Sequence, residues 1–289
     1  MIYLWLVIQQ LIASSTHIVA QDADVVVSPS VVLLFRSLGA AVIFVPILAV
    51  IEKTWNVFAR IERKDYSRIF LLGLLNVPIN QLFYLYALKY TTPANSALFS
   101  AMTPAIIFLL TFFWHSERPS TMKIIGIVVA LTGAAIIMFE RGATLHSDQT
   151  VGNILAFMGV ISWSLYTMLG RSLVLKYGSV YTTGISMIVG ALLYLPFGLL
   201  TSSAAEISAI SSRSWMELAY LAAIASVVNY LLWFYALGKL ATTKVAIFQN
   251  LQPVATTVFA LLLGKVILTT QLWGGGLLVL AGVLVVQLG

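Results

Sequence analysis

The sequence contains no cysteine and very little charge. Only 9% of its 289 residues are Asp, Glu, Lys or Arg, 60% are hydrophobic, and the mean hydropathy is +0.98. Without cysteine there is no disulfide framework, no thiolate metal site and no cysteine nucleophile. A soluble domain carries roughly 25% charged residues, so this chain has too little charge to cover a soluble surface. A composition this apolar is equally unlike that of a disordered chain.

What is there is long apolar runs. A spanning helix needs ~20 mostly apolar residues, and polar breaks divide the chain into ten such stretches. They run Ile2–Ala20, Ser30–Ile51, Arg68–Leu88, Thr92–Trp114, Thr121–Phe139, Gly152–Leu169, Tyr181–Leu200, Trp215–Tyr235, Thr243–Gly264 and Gln271–Leu288. The runs do not alternate, which argues against a transmembrane β-barrel. Ile2–Ala20 lacks a basic leader and a small-residue cleavage site, so it is expected to be a first span and not a cleaved signal.

Positive charge sets orientation. With the N-terminus inside, eleven Lys and Arg fall on the cytoplasmic side: Lys53, Arg60, Arg63, Lys64, Arg68, Arg118, Lys123, Arg171, Lys176, Lys239 and Lys244. Four fall outside, Lys89, Arg141, Arg213 and Lys265, and Arg36 lies within a span. The bias predicts both termini in the cytoplasm. It also accounts for the basic net charge by topology, so no nucleic-acid partner is expected.

The chain repeats itself. Shifted by 149 residues, Tyr86-Ala87-Leu88 meets Tyr235-Ala236-Leu237, Asn80 meets Asn229, and Ala97, Phe99 and Pro104 meet Ala246, Phe248 and Pro253. Gly126 and Gly133 meet Gly275 and Gly282 in the same register. An ordered series of matches across consecutive spans marks an internal repeat. Five spans per half put the second half in the opposite orientation, the inverted repetition of many secondary transporters. The division expected is 1–142 and 143–289.

The run Ala87-Leu88-Lys89-Tyr90-Thr91, then Phe99 to Pro104, Glu117, Gly126 and Gly133, resembles the EamA-type branch of the drug/metabolite transporter superfamily. The resemblance covers the whole chain, once per half, and Arg36 falls where the family often has an arginine in its second helix. It departs at Gly264-Lys265, where the family commonly has Gly-Glu, so any role of that glutamate is absent or altered in the second half. The resemblance implies ten helices in two inverted five-helix halves. Helices one to four and six to nine would surround a central cavity, with five and ten peripheral. It also implies traffic in small polar metabolites such as amino acids, drugs, sugar nucleotides or sugar phosphates. It does not specify the substrate.

The spans carry little chemistry of other kinds. No G-x-x-x-x-G-K-[ST] loop is present, so nothing supports ATP-driven transport by this chain alone. His17, His115 and His146 form no ligand-spaced pair, and neither metal nor cofactor is expected. All ten acids fall at ends or in loops: Asp22, Asp24, Glu52, Glu62, Asp65, Glu117, Glu140, Asp148, Glu206 and Glu217. A carboxylate proton relay is therefore missing, which favours facilitated diffusion or exchange. His17 is left either as a proton site or as a polar packing residue. An integral-membrane enzyme finds no paired acids, histidine cluster or nucleophile motif in the spans.

The candidate substrate-binding residues are the polar groups within spans. Arg36 either anchors a carboxylate or phosphate, or snorkels or pairs with Asp22 or Asp24. Asn76 and Asn80, four apart, share a helix face, and Asn80/Tyr84 and Asn229/Trp233 form two repeat-related stripes. Trp163 stands mid-span on the sixth stretch, away from an aromatic belt, and with Tyr166 at helical spacing it either lines the cavity or packs between helices. Lys244 either belongs to the positive-inside signal or meets an anionic substrate, and Asn95 is its repeat counterpart. Gln252 precedes Pro253 as Thr103 precedes Pro104, and both prolines mark bending points or static kinks. Amides, rings and one or two cations suit an amino acid with an apolar side chain. An organic-anion or phosphate-ester exchanger would need both Arg36 and Lys244 in the cavity. The expected partners are the small-molecule substrate and the bilayer, with monomer and dimer left open. The expected location is a bacterial inner (plasma) membrane.

Overall fold

In lipid every backbone N–H and C=O has to be satisfied within its own segment, so continuous apolar runs fold as helices. The computed structural model describes residues 1–24, 27–114, 119–140, 142–143, 147–262 and 269–289, and among these no strand forms. The helices are α1 (Ile2–Asp24), α2 (Pro29–Glu52), α3 (Arg63–Tyr90), α4 (Pro93–Ala101 continued by Thr103–Phe113) and α5 (Thr121–Glu140). They continue as α6 (Thr150–Tyr177), α7 (Ser179–Thr201), α8 (Ser212–Leu237), α9 and α10 (Thr270–Leu288), with a short helix Ala204–Ser208 before α8. The pieces of α9 are Thr242–Ala246, Ile247–Asn250 and Leu251–Leu262. Among the described residues eight helices, α2 to α8 and α10, are long and apolar enough to cross a membrane, and α1 adds the shorter apolar helix Ile2–Thr16. The chain is an all-helical membrane protein. His115, Glu117, Arg118, Arg141, His146, Gly264 and Lys265, and the side chains of His17, Asp22 and Asp24, lie outside the described residues.

The helix breaks have local causes. Proline lacks the N–H that closes a helical turn. α4 breaks at Met102, two residues before Pro104, and α9 passes through a 3₁₀ turn, Ile247–Asn250, just before Pro253. In α3 the widened π-helical segment Leu75–Gln81 contains Pro78. α8 has its own π segment, Leu221–Val228, without proline. Nothing in that second segment's sequence explains it.

α5 and α10 pack along their whole length through glycines. A Cβ on Gly126 would stand 2.7 Å from the Gly282 carbonyl oxygen, and one on Gly133 would stand 2.5 Å from that of Gly275. Without side chains at these places the two backbones touch, as small residues allow between membrane helices. The contact reads the same from either helix, because each glycine meets the repeat counterpart of the other.

At the end of the bundle where α3 begins and α6 ends, ion pairs tie the two together. Lys176 Nζ lies 2.7 Å from Glu62 Oε1 and 2.5 Å from Asp65 Oδ2, and the Tyr177 hydroxyl donates to Asp65 Oδ2 at 2.7 Å. Hydrogen bonds from Lys176 and then Lys64 hold the Glu62 carboxyl below its ordinary value.

Candidate substrate cavity

α1, α2, α3, α4, α6, α8 and α9 surround a cavity of about 130 Å³. It takes its wall from the C-terminal half of α3 and the N-terminal halves of α4 and α6. Toward the other end of the bundle, Trp163 and Tyr230 of the lining pack with Tyr166, Trp233 and Phe234 behind them as an aromatic floor. The Trp163 ring meets Tyr230 edge-on at 5.3 Å and Trp233 at 5.5 Å, and Tyr166 meets Phe234 at 5.0 Å. Below the floor α6 and α8 close on each other. The Trp233 indole donates to Thr167 Oγ1 at 3.2 Å, and Gly170 receives the Phe234 ring.

Arg36 is the only charged side chain among the described residues of the wall, and it is 5% exposed. Its Nε donates to Ser226 Oγ at 2.7 Å. Its terminal nitrogens have no hydrogen-bond partner among the described residues. A guanidinium stays protonated even where burial is costly. An unpaired buried charge costs several kcal/mol, so water or an anionic ligand has to supply what the protein leaves out.

The rest of the wall is amides, hydroxyls and rings. Asn80 donates to the Gly159 carbonyl at 2.9 Å, fastening α3 to α6. Asn229 accepts from Gln9 Nε2 at 2.8 Å, fastening α8 to α1. Gln10 Nε2 in turn donates to Gln9 Oε1 at 2.6 Å. Each asparagine thus does two jobs, bridging helices and lining the cavity. Tyr84, Trp163, Gln249 and Gln252 add to the polar and aromatic surface.

Of the eleven residues singled out from sequence, the wall includes Arg36, Asn80, Tyr84, Trp163, Asn229 and Gln252. The other five stand elsewhere. Asn76 is sealed behind the wall, donating to the Tyr166 hydroxyl at 3.4 Å and accepting from Gln81 Nε2 at 3.1 Å. Tyr166 is fully buried against Ser186, and Trp233 lies in the floor. Asn95 joins an amide cluster between α4 and α6, donating to Gln149 at 2.7 Å and Asn153 at 3.1 Å. Lys244 caps the end of α10, where its Nζ donates to the Gln287 carbonyl at 2.8 Å.

Gln9, Thr16, Gln81, Ser96 and Tyr230 line the cavity without having been singled out. For Gln9 a signal existed: Gln9-Gln10 is a polar pair inside an apolar run, and such groups in lipid face a cavity or a neighbouring helix. Gln81 is likewise a polar group inside an apolar run, but the π turn gives it a side that ordinary helical spacing does not.

Known proteins resemble this chain throughout. A model of the EamA-like transporter family matches residues 1–139 and again residues 150–288. The uncharacterized transporter YyaM of Bacillus subtilis is 29% identical over 225 residues, covering 77% of this chain and 73% of that protein. The WAT1-related protein At3g18200 of Arabidopsis thaliana is 27% identical over 301 residues, covering 94% of this chain and 76% of that one. A solved crystal structure superposes with a TM-score of 0.80 at 16% identity, over 98% of this chain and 95% of that chain. That likeness shows a shared fold.

Proposed function

The chain belongs to the EamA-like transporter family, and from that premise we propose that it is a secondary transporter exporting small polar metabolites, amino acids first among them, by alternating access. The observation that carries this reading is Arg36: a buried cation in a cavity wall that offers it no described carboxylate. A substrate carboxylate completes it by a bidentate, charge-assisted pair. The amides and rings around it suit the rest of a zwitterion with an apolar side chain. A phosphate-ester exchanger would need a second cation beside Arg36, and Lys244 is occupied at Gln287.

The architecture we propose is ten spans in two inverted halves, 1–142 and 143–289, with both termini cytoplasmic in a bacterial inner (plasma) membrane. Support for inversion comes from the exchanged glycine contacts of α5 and α10, and from Asn80 and Asn229 fastening corresponding helix pairs, α3 to α6 and α8 to α1, though through different hydrogen bonds. Related halves of opposite orientation can exchange conformations and so open one site to each side in turn. With cytoplasmic termini the cavity belongs to the outward side, and the α6–α8 closure is the inner gate.

The test is a counterflow screen in liposomes holding the purified chain without ATP, over amino acids, sugar phosphates and nucleotides. Accumulation of labelled amino acids is expected. Transport that requires ATP, or that accepts sugar phosphates alone, overturns the reading.

A further inference from the structure

We infer that Ser226 is the positioning residue of the cavity, holding the Arg36 guanidinium so that a carboxylate meets its terminal edge. The inference deepens the reading of Arg36 as the carboxylate anchor and rests on it. Arg36 stands on α2, and its described hydrogen bond is the one from Nε to Ser226 Oγ on α8, at 2.7 Å and fully within the bundle. A guanidinium is planar, so fixing Nε leaves one pair of donors, the two terminal nitrogens, side by side for a carboxylate. The chemistry of the holder matters. A serine hydroxyl accepts one hydrogen bond and brings no charge, so the cation stays uncompensated until the ligand arrives. An acid at the same place would hold the arginine equally well and cancel the charge that the ligand is to meet.

The helices are built to make this contact. Gly39 lies three residues after Arg36 on α2, and Ala222 lies four residues before Ser226 on α8, about one helical turn in each case. A Cβ on Gly39 would come within 2.7 Å of the Ala222 Cβ, so α2 and α8 come close here because position 39 carries no side chain. Ser226 also falls in the π segment Leu221–Val228. Such segments re-aim side chains at functional sites. The π segment of α3 does the same for Gln81, which lines the same cavity.

The experiment uses the full chain in liposomes and initial rates of counterflow for neutral L-amino acids (leucine, phenylalanine and threonine). It compares wild type, Ser226→Ala, Ser226→Thr, Arg36→Gln and the double variant Ser226→Ala/Arg36→Gln. Losing a hydrogen bond to a charged group shifts affinity by about tenfold or more. Ser226→Ala is therefore expected to raise KM by that factor and to leave the maximal rate in place. Ser226→Thr keeps a hydroxyl and restores KM. In the Arg36→Gln background Ser226→Ala adds nothing, because the group it positions is gone. If Arg36→Gln transports amino acids as wild type does, or if wild type moves none of them, the carboxylate reading fails and the role of Ser226 with it. If Arg36→Gln abolishes uptake while Ser226→Ala keeps a wild-type KM, the reading stands and the role of Ser226 is overturned. A Ser226→Ala variant that loses only maximal rate, or loses as much again in the Arg36→Gln background, marks Ser226 as structural.

Discussion

The Phe234 ring lies so close to Gly170 that a Cβ there would stand 2.5 Å from Cε1. This contact, with the Trp233–Thr167 hydrogen bond beside it, brings α8 against α6 and closes one end of the cavity. Its closeness gives a direct handle on the closure. Gly170→Ala forces a methyl into the ring, an overpacking that costs about 1–3 kcal/mol. The expected outcome is a shift toward a state with this end open. The chain has no cysteine, so a Gly238→Cys variant supplies the one thiol for a membrane-impermeant reagent. Labelling from the cytoplasmic side should be slow with Gly170 and faster with Gly170→Ala. Adding Phe234→Ala to Gly170→Ala removes the clash with the ring and tests whether it is the cause. Unchanged labelling in Gly170→Ala would show that the α6–α8 contact is not the closure.

The glycines of α10 divide into two kinds. Gly275 and Gly282 lie against α5, while a Cβ on Gly274 or Gly276 meets nothing within 4 Å. Gly133→Val and Gly282→Val should each lower the melting temperature in detergent sharply, since backbone and not a flexible side chain blocks the added atoms. Gly274→Ala and Gly276→Ala should leave it in place or raise it slightly, because alanine favours a helix over glycine by about 1 kcal/mol. Equal effects at the two kinds of position would count against the packing described for α5 and α10.

The long helices were legible from the runs of apolar residues, because lipid imposes the simplest of rules on the backbone. The π segments were not. Asn76 and Asn80 share a face at ordinary helical spacing, yet Asn80 lines the cavity and Asn76 is sealed behind it. Gln81, five residues from Asn76, bonds it instead, at the spacing of a π turn. Lys244 failed to be informative for a different reason. A cation at a helix end reads the same whether it meets a ligand or a neighbouring carbonyl, and only its contact with Gln287 separates the two. Arg36 was legible because an arginine inside a span is costly and needs an explanation. Its dependence on Ser226 was not, because serine is common in membrane helices and its contact spans 190 residues of sequence.

Acid should loosen the α3–α6 end of the bundle. Glu62 is held ionised by Lys176 and Lys64, so its folded value lies below that of an unfolded glutamate, about 4.3. A depressed carboxylate stabilises above the unfolded value, and its contribution disappears as pH falls through the folded one. Melting temperature should therefore hold steady from neutral pH down to about 5 and drop below about 4. Lys176→Met removes one partner shared by Glu62 and Asp65 and should lower stability at neutral pH while reducing the acid-side drop. A drop of equal size in wild type and Lys176→Met would place the acid sensitivity elsewhere.

The most direct measurement compares an amino acid with its own carboxamide. The two match in size and side chain, and the amide lacks the negative charge that Arg36 would meet. In wild-type liposomes labelled leucine should accumulate by counterflow and unlabelled leucinamide should fail to compete with it. Competition by leucinamide as strong as that of leucine would mean that the cavity does not read the carboxylate, and that Arg36 serves the helices and not the substrate.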